Sequence, residues 1–297
     1  MKIFTTKWLL GTLWCASRRV VRITASRGVV PVSDRSVVIG AGHLGSAFAE
    51  RISSVRPVTV VESSSAARAD CVTRLGVQGV EKIAHVDWDE VDHAHVVVRT
   101  AMQASEVLGE IDEVASSSLG CHVHTTLSVP AAQRLSATAF AKIRFLEQPI
   151  TGGVEHVRQG TAVVLTTTDL TRTDREYLET IIGRLIEFRD AGAPSLSKLI
   201  NNVAAAVAAV TTTKLLRTAH DHGIDLVALR EVLDHGSGGS WMASALPTLD
   251  PDQAQLLFKD VRLLEESLGD SVTVDLADEQ AFVIGLRRLQ SHLIDPH

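Results

Sequence analysis

Cysteine is scarce in this 297-residue sequence, and the spacing of the few cysteines excludes two kinds of site. Cys15, Cys71 and Cys121 lie far apart, without the paired spacing of a zinc site or a disulfide framework. We therefore expect a protein of a reducing compartment, and the cytoplasm is the predicted location.

The sequence near the N-terminus has only a short apolar run. "WLLGTLWCA" is apolar for nine residues, whereas a helix that crosses a bilayer needs about 20. The run lies in a basic segment without acids, which is compatible with a signal peptide, a mitochondrial presequence or a misplaced start. We expect residues 1–34 to be an extension outside the fold, with organellar targeting as the alternative, and we expect no membrane partner.

Basic residues are too few in the rest of the chain for a nucleic-acid surface. Six of the 29 Lys and Arg residues precede Ser33, so 23 basic residues remain against all 35 acidic ones. Because phosphate contacts need clustered Lys and Arg, this acidic body argues against a nucleic-acid partner.

Segments typical of strands and helices alternate along the chain up to Phe188. "RSVVI", "PVTVVES" and "HAHVVVRT" are strand-like, and each precedes a helical segment. This alternation predicts a Rossmann-like, doubly wound, mostly parallel sheet. Beyond Phe188 the sequence has only helical patterns. We therefore predict a dinucleotide-binding domain at 35–194 and an all-helical domain at 195–297, joined by a long buried helix.

A glycine loop stands between the first two predicted strands. Gly40-Ala41-Gly42-His43-Leu44-Gly45 follows one strand and opens a helix, and the next strand ends at Glu62. In this context the pattern predicts a dinucleotide site. Gly40 permits a tight turn, Gly42 lets the backbone approach a pyrophosphate, and Gly45 allows close packing of helix and strand. The residues expected to bind the cofactor here are Gly40, Gly42, His43, Leu44, Gly45 and Glu62.

Glu62 bears on the choice between NAD and NADP. Its carboxylate is expected to accept hydrogen bonds from the adenosine ribose hydroxyls and to repel a 2′-phosphate, which favours NAD. Ser63, Ser64 and Arg68 lie close by in sequence and leave NADP possible.

A second loop combines a hydroxyl with two glycines. Thr151, Gly152 and Gly153 form a Thr-Gly-Gly loop whose backbone can approach a ligand closely, because glycine has no side chain in the way. Its free N–H groups can hold a carboxylate. From these residues alone, an anion site and an ordinary turn both remain open.

"SKLINNVAAAVAAV" places Lys198 at the head of an apolar helix. With Ser195 as N-cap, Lys198 becomes the third helical residue, where the helix dipole and partial burial together lower the pKa of an ammonium. Asn202 lies four residues further on the same face. The following residues are apolar all round, which predicts a helix buried on every side.

Three motifs in order resemble the β-hydroxyacid dehydrogenase family, which includes 3-hydroxyisobutyrate dehydrogenase, tartronate semialdehyde reductase and, more distantly, 6-phosphogluconate dehydrogenase. "VVIGAGHLGSAFAERI" resembles its dinucleotide loop, and "EQPITGGVEHVRQGTAVVL" resembles its substrate loop, D-A-P-V-S-G-G followed by G-T. "GAPSLSKLINN" is similar to its catalytic element, G-x-G-x-x-x-K-x-x-N-N. Glu147, Gln148 and Thr151 depart from the Asp, Ala and Ser of this pattern.

The resemblance implies a role for each matched residue. Lys198 would be the general acid/base in the reversible oxidation of a small 3-hydroxy acid to its semialdehyde by NAD(P), and Asn202 would position the substrate. The Thr-Gly-Gly loop would hold the substrate carboxylate, and Lys259 in "FKDV" would lie beside the cofactor. Family members are usually dimers or tetramers, so a homo-oligomer is expected.

Two other functions are the alternatives to this interpretation, and the histidines raise the separate question of a metal site. Imine reductases resemble this architecture but generally replace the catalytic lysine, and a non-catalytic NAD(P)-binding sensor or scaffold is the other alternative. The histidine pairs His93/His95 and His122/His124 each share a strand face, but no acid or cysteine joins them at ligand spacing in the sequence. We therefore predict no metal.

Overall fold

The computed structural model describes residues 35–116, 118–249, 255–269 and 279–293. The predictions made for residues 1–34 lie outside these ranges.

Strands and helices alternate through the first part of the chain, as the sequence predicts. Six strands form one sheet in the order β3-β2-β1-β4-β5-β6, and all neighbouring pairs are parallel. The elements are β1 (Arg35–Ile39), α1 (His43–Ser53), β2 (Val58–Val61), α2 (Ser65–Leu75), β3 (Gln78–Val80), β4 (Val91–Val96), α3 (Ala101–Val114), β5 (Leu119–Val123), α4 (Val129–Ala137) and β6 (Ile143–Glu147).

The strand order creates a switch point between β1 and β4. From β1 the chain proceeds outward through β2 to β3, and it then crosses back to add β4 on the other side of β1. In open sheets of this kind, ligands bind outside the carboxyl ends of the strands at the switch point.

Each face of this sheet packs against a separate apolar cluster. Val37 and Ile39 of β1 contribute to one cluster, and Val38 contributes to the other. Successive strand residues point to opposite faces, so a continuous β-branched run suits a strand that is buried on both sides.

A small second sheet follows β6, which the sequence did not predict as a separate unit. Its order is β7-β8-β9, with β7 antiparallel to β8 and β8 parallel to β9. The elements are β7 (Ile150–Thr151), α5 (Gly153–Arg158), β8 (Val163–Thr167), α6 (Arg172–Ile181) and β9 (Arg184–Phe188).

After Phe188, the described residues contain helices without strands, so the predicted fold class is confirmed. The long helix α7 packs against both α10 and α11. Ser33–His297 groups as one compact unit, so the predicted division at residue 194 stays a prediction. The helices are α7 (Ala193–Asp221), α8 (Leu226–His235), α9 (Trp241–Ala245), α10 (Gln255–Leu268) and α11 (Glu279–Leu293).

The prediction that α7 is buried on every side is wrong. Ile200, Val207 and Leu215 are 52%, 40% and 63% exposed, and they lie along one stripe of the helix. Small apolar residues allow close packing on the other faces but say nothing about whether every face has a neighbour. By length and composition alone, α7 could also cross a membrane, so the expected absence of a membrane partner stays a prediction.

Candidate active site

The glycine loop has the geometry that each of its glycines was predicted to need. Gly40 has a φ of +93°, and a Cβ there would lie 2.3 Å from the Val97 carbonyl oxygen. A Cβ on Gly45 would lie 1.8 Å from the Gly40 carbonyl oxygen, so helix and loop touch. Gly42 faces open space, with no atom within 4 Å of its Cβ position. The loop therefore closes against β4 and leaves its Gly42 side free for a ligand.

Helix α1 presents its N-terminus to that open side. It begins at His43. Its N-cap residue, Gly42, has no side chain that could accept from the first N–H groups, and its first turn contains no acid. The first N–H groups of a helix have no intrahelical acceptor and favour an anion. His43 is exposed and Leu44 is half-buried against the core, so these residues offer backbone groups rather than side chains to a pyrophosphate.

Glu62 is tied to the glycine loop. Its carboxylate accepts hydrogen bonds from the N–H groups of Ala41 and Ser64, each at 2.8 Å. Burial alone would raise the pKa of Glu62, but these donated hydrogen bonds outweigh burial and hold the pKa below its ordinary value. Glu62 is therefore ionised at neutral pH, at the edge of the loop where a ribose is expected.

The Thr-Gly-Gly loop combines left-handed backbone with open space. Gly152 and Gly153 have φ values of +107° and +78°, a region that side chains rarely adopt. A Cβ on Gly152 would lie 3.0 Å from the Cβ of His156, whereas Gly153 has no atom within 4 Å of that position. The backbone conformation therefore accounts for both glycines, and the loop stays accessible.

The predicted start of the helix that carries Lys198 is wrong by three residues. Helix α7 begins at Ala193 after Gly192, whose φ is +86°, so Lys198 is the sixth helical residue and lies beyond the first turn. Ser195 is not the cap. The carboxylate of Glu147, at the end of β6, instead accepts hydrogen bonds from the N–H groups of Gly192 at 2.7 Å and Ser195 at 2.8 Å.

Lys198 and Asn202 converge as predicted, and a third residue joins them. Lys198 Nζ donates to Asn202 Oδ1 at 2.8 Å, and Asn202 Nδ2 donates to Asp260 Oδ2 at 2.5 Å. Asp260 belongs to α10 and is buried. Its sequence position in "FKDV" gave no sign of this contact, because 58 residues separate it from Asn202.

The environment of Lys198 suits proton transfer. Burial lowers the pKa of Lys198 below its ordinary value, and the charge of Asp260 partly opposes that effect. The sequence predicted two causes, partial burial and the helix dipole. The dipole acts mainly on the first turn, and there the Glu147 carboxylate lies against the free N–H groups. Burial is therefore the principal cause of the shift.

Two contacts bring the remaining predicted residues to the same region. Asn201 Nδ2 donates to Thr151 Oγ1 at 3.4 Å, which places the Thr-Gly-Gly loop beside α7. Lys259 Nζ donates to the Arg99 carbonyl oxygen at 3.3 Å. Arg99 lies three residues after the end of β4, close to Val97, against which the glycine loop packs. These contacts connect the Thr-Gly-Gly loop with α7, and α10 with the segment after β4, while the roles of the individual residues stay predictions.

Comparison with known proteins identifies the first domain. The NAD-binding domain family of 6-phosphogluconate dehydrogenase matches residues 36–182. These residues belong to the NAD-binding domain family of the 6-phosphogluconate dehydrogenase superfamily. The superfamily membership and the NAD(P) cofactor predicted from the sequence are thereby confirmed, and the chain is an NAD(P)-binding oxidoreductase of this group.

Named relatives within the superfamily are similar at modest identity. A 3-hydroxyisobutyrate dehydrogenase of Pseudomonas aeruginosa is 26% identical over 53% of this chain and 55% of its own length. An NAD-dependent L-serine dehydrogenase of the same organism is 23% identical over 79% of this chain and 85% of its own. The solved structure of Mycobacterium tuberculosis 3-hydroxyisobutyrate dehydrogenase with L-serine has a TM-score of 0.69 at 20% identity. The match covers 88% of this chain and 95% of the chain in that structure, and the likeness concerns the fold.

A buried histidine network ends at Gln148, and an acid lies beside it that the sequence did not indicate. An acid does join the histidines: Asp174 of α6 lies 3.9 Å from His93 Nδ1, and ligand atoms of His93, His122 and Asp174 all lie within 4.8 Å of one another. That carboxylate already binds the Arg144 guanidinium at 2.8 and 2.9 Å and two donors of Thr171. The prediction of no metal stays a prediction.

Hydrogen bonds in this network run in one direction. The main-chain carbonyl of Gln148 can only accept, so His124 carries its proton on Nδ1 at 2.8 Å from that oxygen. His124 Nε2 must then accept from His95 Nδ1–H at 2.9 Å, and His95 Nε2 accepts from the Tyr177 hydroxyl at 2.6 Å. The Tyr177 oxygen in turn accepts from Ser36 Oγ at 3.0 Å.

A parallel branch ends on the same glutamine. His93 Nδ1–H donates to His122 Nε2 at 3.0 Å, and His122 Nδ1–H donates to Gln148 Oε1 at 2.9 Å. Gln148, where the resembled motif has alanine, therefore receives both branches, three residues before Thr151 of the Thr-Gly-Gly loop.

Proposed function

We propose that this protein oxidises a small 3-hydroxy acid to its semialdehyde, reversibly, with Lys198 as general acid/base. The observation that carries the proposal is the Lys198–Asn202–Asp260 chain, in which a lysine of lowered pKa lies beside the Thr-Gly-Gly loop and the NAD(P) domain. A base of lowered pKa, held near an anion-binding loop and a hydride acceptor, is what alcohol oxidation requires.

Each side chain has a defined part in the proposed reaction. The N–H groups of Gly152 and Gly153, with the Thr151 hydroxyl, would hold the substrate carboxylate, and Asn202 would orient the hydroxyl. Lys198, as neutral amine, would take the hydroxyl proton during oxidation and return it to the carbonyl oxygen during reduction. NAD, when bound, supplies the hydride acceptor.

The relatives' names support the substrate class. 3-Hydroxyisobutyrate and L-serine both carry a hydroxyl on the second carbon from the carboxyl carbon, the arrangement that defines a 3-hydroxy acid. One loop for the carboxylate and one lysine for the hydroxyl would serve either compound.

A Lys198→Ala variant tests the role of the lysine. We expect kcat to fall by about 10²- to 10⁴-fold, the usual contribution of a general acid/base, while the dissociation constant of NAD stays within about twofold because the glycine loop is untouched. Steady-state kinetics on a 3-hydroxy acid and NAD titration by fluorescence measure the two effects. Near-normal turnover of the variant would refute the assignment.

A panel of 3-hydroxy acids, run with NAD and with NADP, tests the reaction itself. Glu62 is ionised beside the expected ribose site, so we propose NAD as the preferred cofactor. Tight NAD binding without turnover of any panel member would favour the non-catalytic sensor or scaffold. Reduction of cyclic imines instead would favour an imine reductase, although Lys198 argues against that.

The exposed stripe of α7 supports the proposal of a homo-oligomer, a dimer or tetramer. The proposed location, the cytoplasm, rests only on the unpaired spacing of the cysteines in the sequence. Three large apolar side chains lie on the stripe, Ile200, Val207 and Leu215, and contiguous exposed apolar surface commonly marks an interface. Light scattering after size-exclusion chromatography measures the mass. A Val207→Glu variant should lower that mass if this stripe is the contact, and a monomeric wild-type protein would refute the proposal.

A further inference from the structure

Glu147 connects the strand before the Thr-Gly-Gly loop to the first turn of α7. It is the last residue of β6 and is 2% exposed. Each carboxylate oxygen accepts one backbone hydrogen bond, Oε2 from Gly192 and Oε1 from Ser195. A carboxylate is well suited to this place, because charge-assisted hydrogen bonds to free N–H groups at a helix N-terminus are strong.

This contact and a second one close a ring of backbone and hydrogen bonds that passes through Lys198. Glu147 binds α7 at Ser195, and Asn201, six residues later, binds the loop at Thr151. The chain from Glu147 to Thr151 completes the ring. Lys198 lies midway between the two contact points, three residues from each, so both ends of its helical segment are fixed to the loop.

The two contacts that close the ring differ in strength. The Asn201–Thr151 hydrogen bond is 3.4 Å long and exposed, whereas the two bonds to Glu147 are 2.7 and 2.8 Å long and buried. Val129 also packs closely against the start of α7, since a Cβ on Gly192 would lie 2.9 Å from Val129 Cγ1. Glu147 is therefore the principal tie between loop and helix.

We infer that Glu147 is a positioning residue that sets the distance between Lys198 and the substrate carboxylate. This role rests on the proposed function, because it assumes that Lys198 exchanges the proton and that the loop holds the carboxylate. Glu147 acts through the helix and touches neither reacting group.

The inference predicts a defect in turnover rather than in cofactor binding. In Glu147→Gln, an NH2 group replaces one carboxylate oxygen and faces an N–H donor. One of the two hydrogen bonds is therefore lost, and the start of α7 moves. We expect kcat to fall by about 10- to 100-fold, the scale of a displacement near 1 Å, with the KM for NAD within about twofold. Glu147→Asp keeps both oxygens on a shorter arm, and its kcat should lie between that of Glu147→Gln and that of wild type.

The pH profile separates positioning from an effect of charge. Asp260 is the charge that acts on the pKa of Lys198, so Glu147→Gln should lower kcat equally at all pH values and leave the midpoints of the profile unchanged. Glu110→Gln, an exposed glutamate of α3, is the matched control and should behave as wild type.

Amide hydrogen exchange of the 192–198 segment tests the geometry without turnover. We expect exchange there to be at least about tenfold faster in Glu147→Gln and intermediate in Glu147→Asp. Unchanged exchange, or a folded Glu147→Gln variant with wild-type kcat, would overturn the inference. If wild type turns over no 3-hydroxy acid, the proposed function fails, and the exchange data still decide whether Glu147 fixes the helix.

Discussion

Asp260 has two effects on Lys198, one through a hydrogen bond and one through its charge. Its carboxylate accepts from Asn202 Nδ2, so the opposite end of the amide, Oδ1, faces Lys198. Its charge raises the pKa of Lys198 against the effect of burial. The residue therefore sets both the orientation of the amide and the pH range of the lysine.

Replacing Asp260 with Asn should shift the pH dependence of the reaction. Without the carboxylate, the pKa of Lys198 falls further. Oxidation needs the neutral amine, so the acidic limb of kcat should move to lower pH; reduction needs the ammonium, so its basic limb should also move to lower pH. Rate profiles in both directions measure this. Glu265→Gln, an exposed acid on the same helix, is the control, and an unshifted Asp260→Asn profile would contradict the assignment.

At the scale of single residues, the sequence predicted side-chain identity better than position. Lys198 and Asn202 were found because residues four apart share a helix face. The helix start was misplaced because Ser195 has the chemistry of a cap, whereas a glutamate 45 residues away performs that function for Gly192. Such partners depend on which strand ends next to which helix, and local sequence does not contain that information.

Among the elements, the segment from β6 to β7 connects the sheet, the histidine network and α7. Gln148 is fully buried there, and it accepts from both His122 and His124. Its side-chain amide also donates to Thr166 Oγ1 of β8 at 3.4 Å, so one side chain links both sheets.

Truncating Gln148 should destabilise the protein. Gln148→Ala removes the acceptor of His122 Nδ1–H, and an unsatisfied buried donor costs about 1–3 kcal/mol. Urea denaturation at about pH 7.5 measures the free energy of unfolding. Gln159→Ala, which removes an exposed glutamine of the loop after α5, should change it by less than about 0.5 kcal/mol; equal effects of the two substitutions would contradict this role.

The order of elements could be predicted, whereas their grouping into sheets could not. Alternating strands and helices were visible as β-branched runs and helical periodicity, and all belong to the predicted fold class. The assignment of β7, β8 and β9 to a second sheet depends on long-range pairing, such as Thr151 with Val163. The contact of Asp174 with the histidines has the same origin, since α6 carries it back over the sheet.

For the molecule as a whole, the buried histidines determine acid stability. Burial is the main cause in each case, and it lowers the pKa of His93 to about 4, of His122 and His124 to about 3, and of His95 well below its ordinary value of 6.5. Arg56 and Arg144 oppose protonation further, whereas Asp174 favours it. These imidazoles are neutral in the folded protein at pH 5.

We therefore expect stability to fall steeply as the pH drops below 6.5. The unfolded chain takes up protons at these histidines from pH 6.5 downward, while the native state excludes them until about pH 4, so the stabilisation is present above pH 6.5 and is lost below it. Once the pH is well below 6.5, each histidine contributes about 1.4 kcal/mol per pH unit, or roughly 5.6 kcal/mol per unit for the four.

Urea denaturation between pH 7.5 and 5 checks this expectation. The carboxylates with lowered pKa are Glu62, Asp112, Asp174 and Glu187, and in the unfolded chain the glutamates titrate near 4.5 and the aspartates near 3.8. The loss above pH 5 therefore reports mainly on histidine. Replacing the exposed His235 with Gln should leave the slope unchanged. A free energy of unfolding that stays constant from pH 6.5 to 5 would show that the histidines are not buried neutral.

The one-way order of the histidine chain also constrains how this sequence can evolve. Losing one member leaves an unpaired polar group in the core, whereas replacing two bonded partners together by apolar groups can be nearly neutral. His122→Leu and Gln148→Ala together should thus cost less than the sum of the two separate changes, and the cost that remains includes His93 Nδ1–H, which loses its acceptor. The network would be gained or lost in coordinated steps, so related sequences should carry either the paired polar set or a paired apolar one, with few intermediates between them.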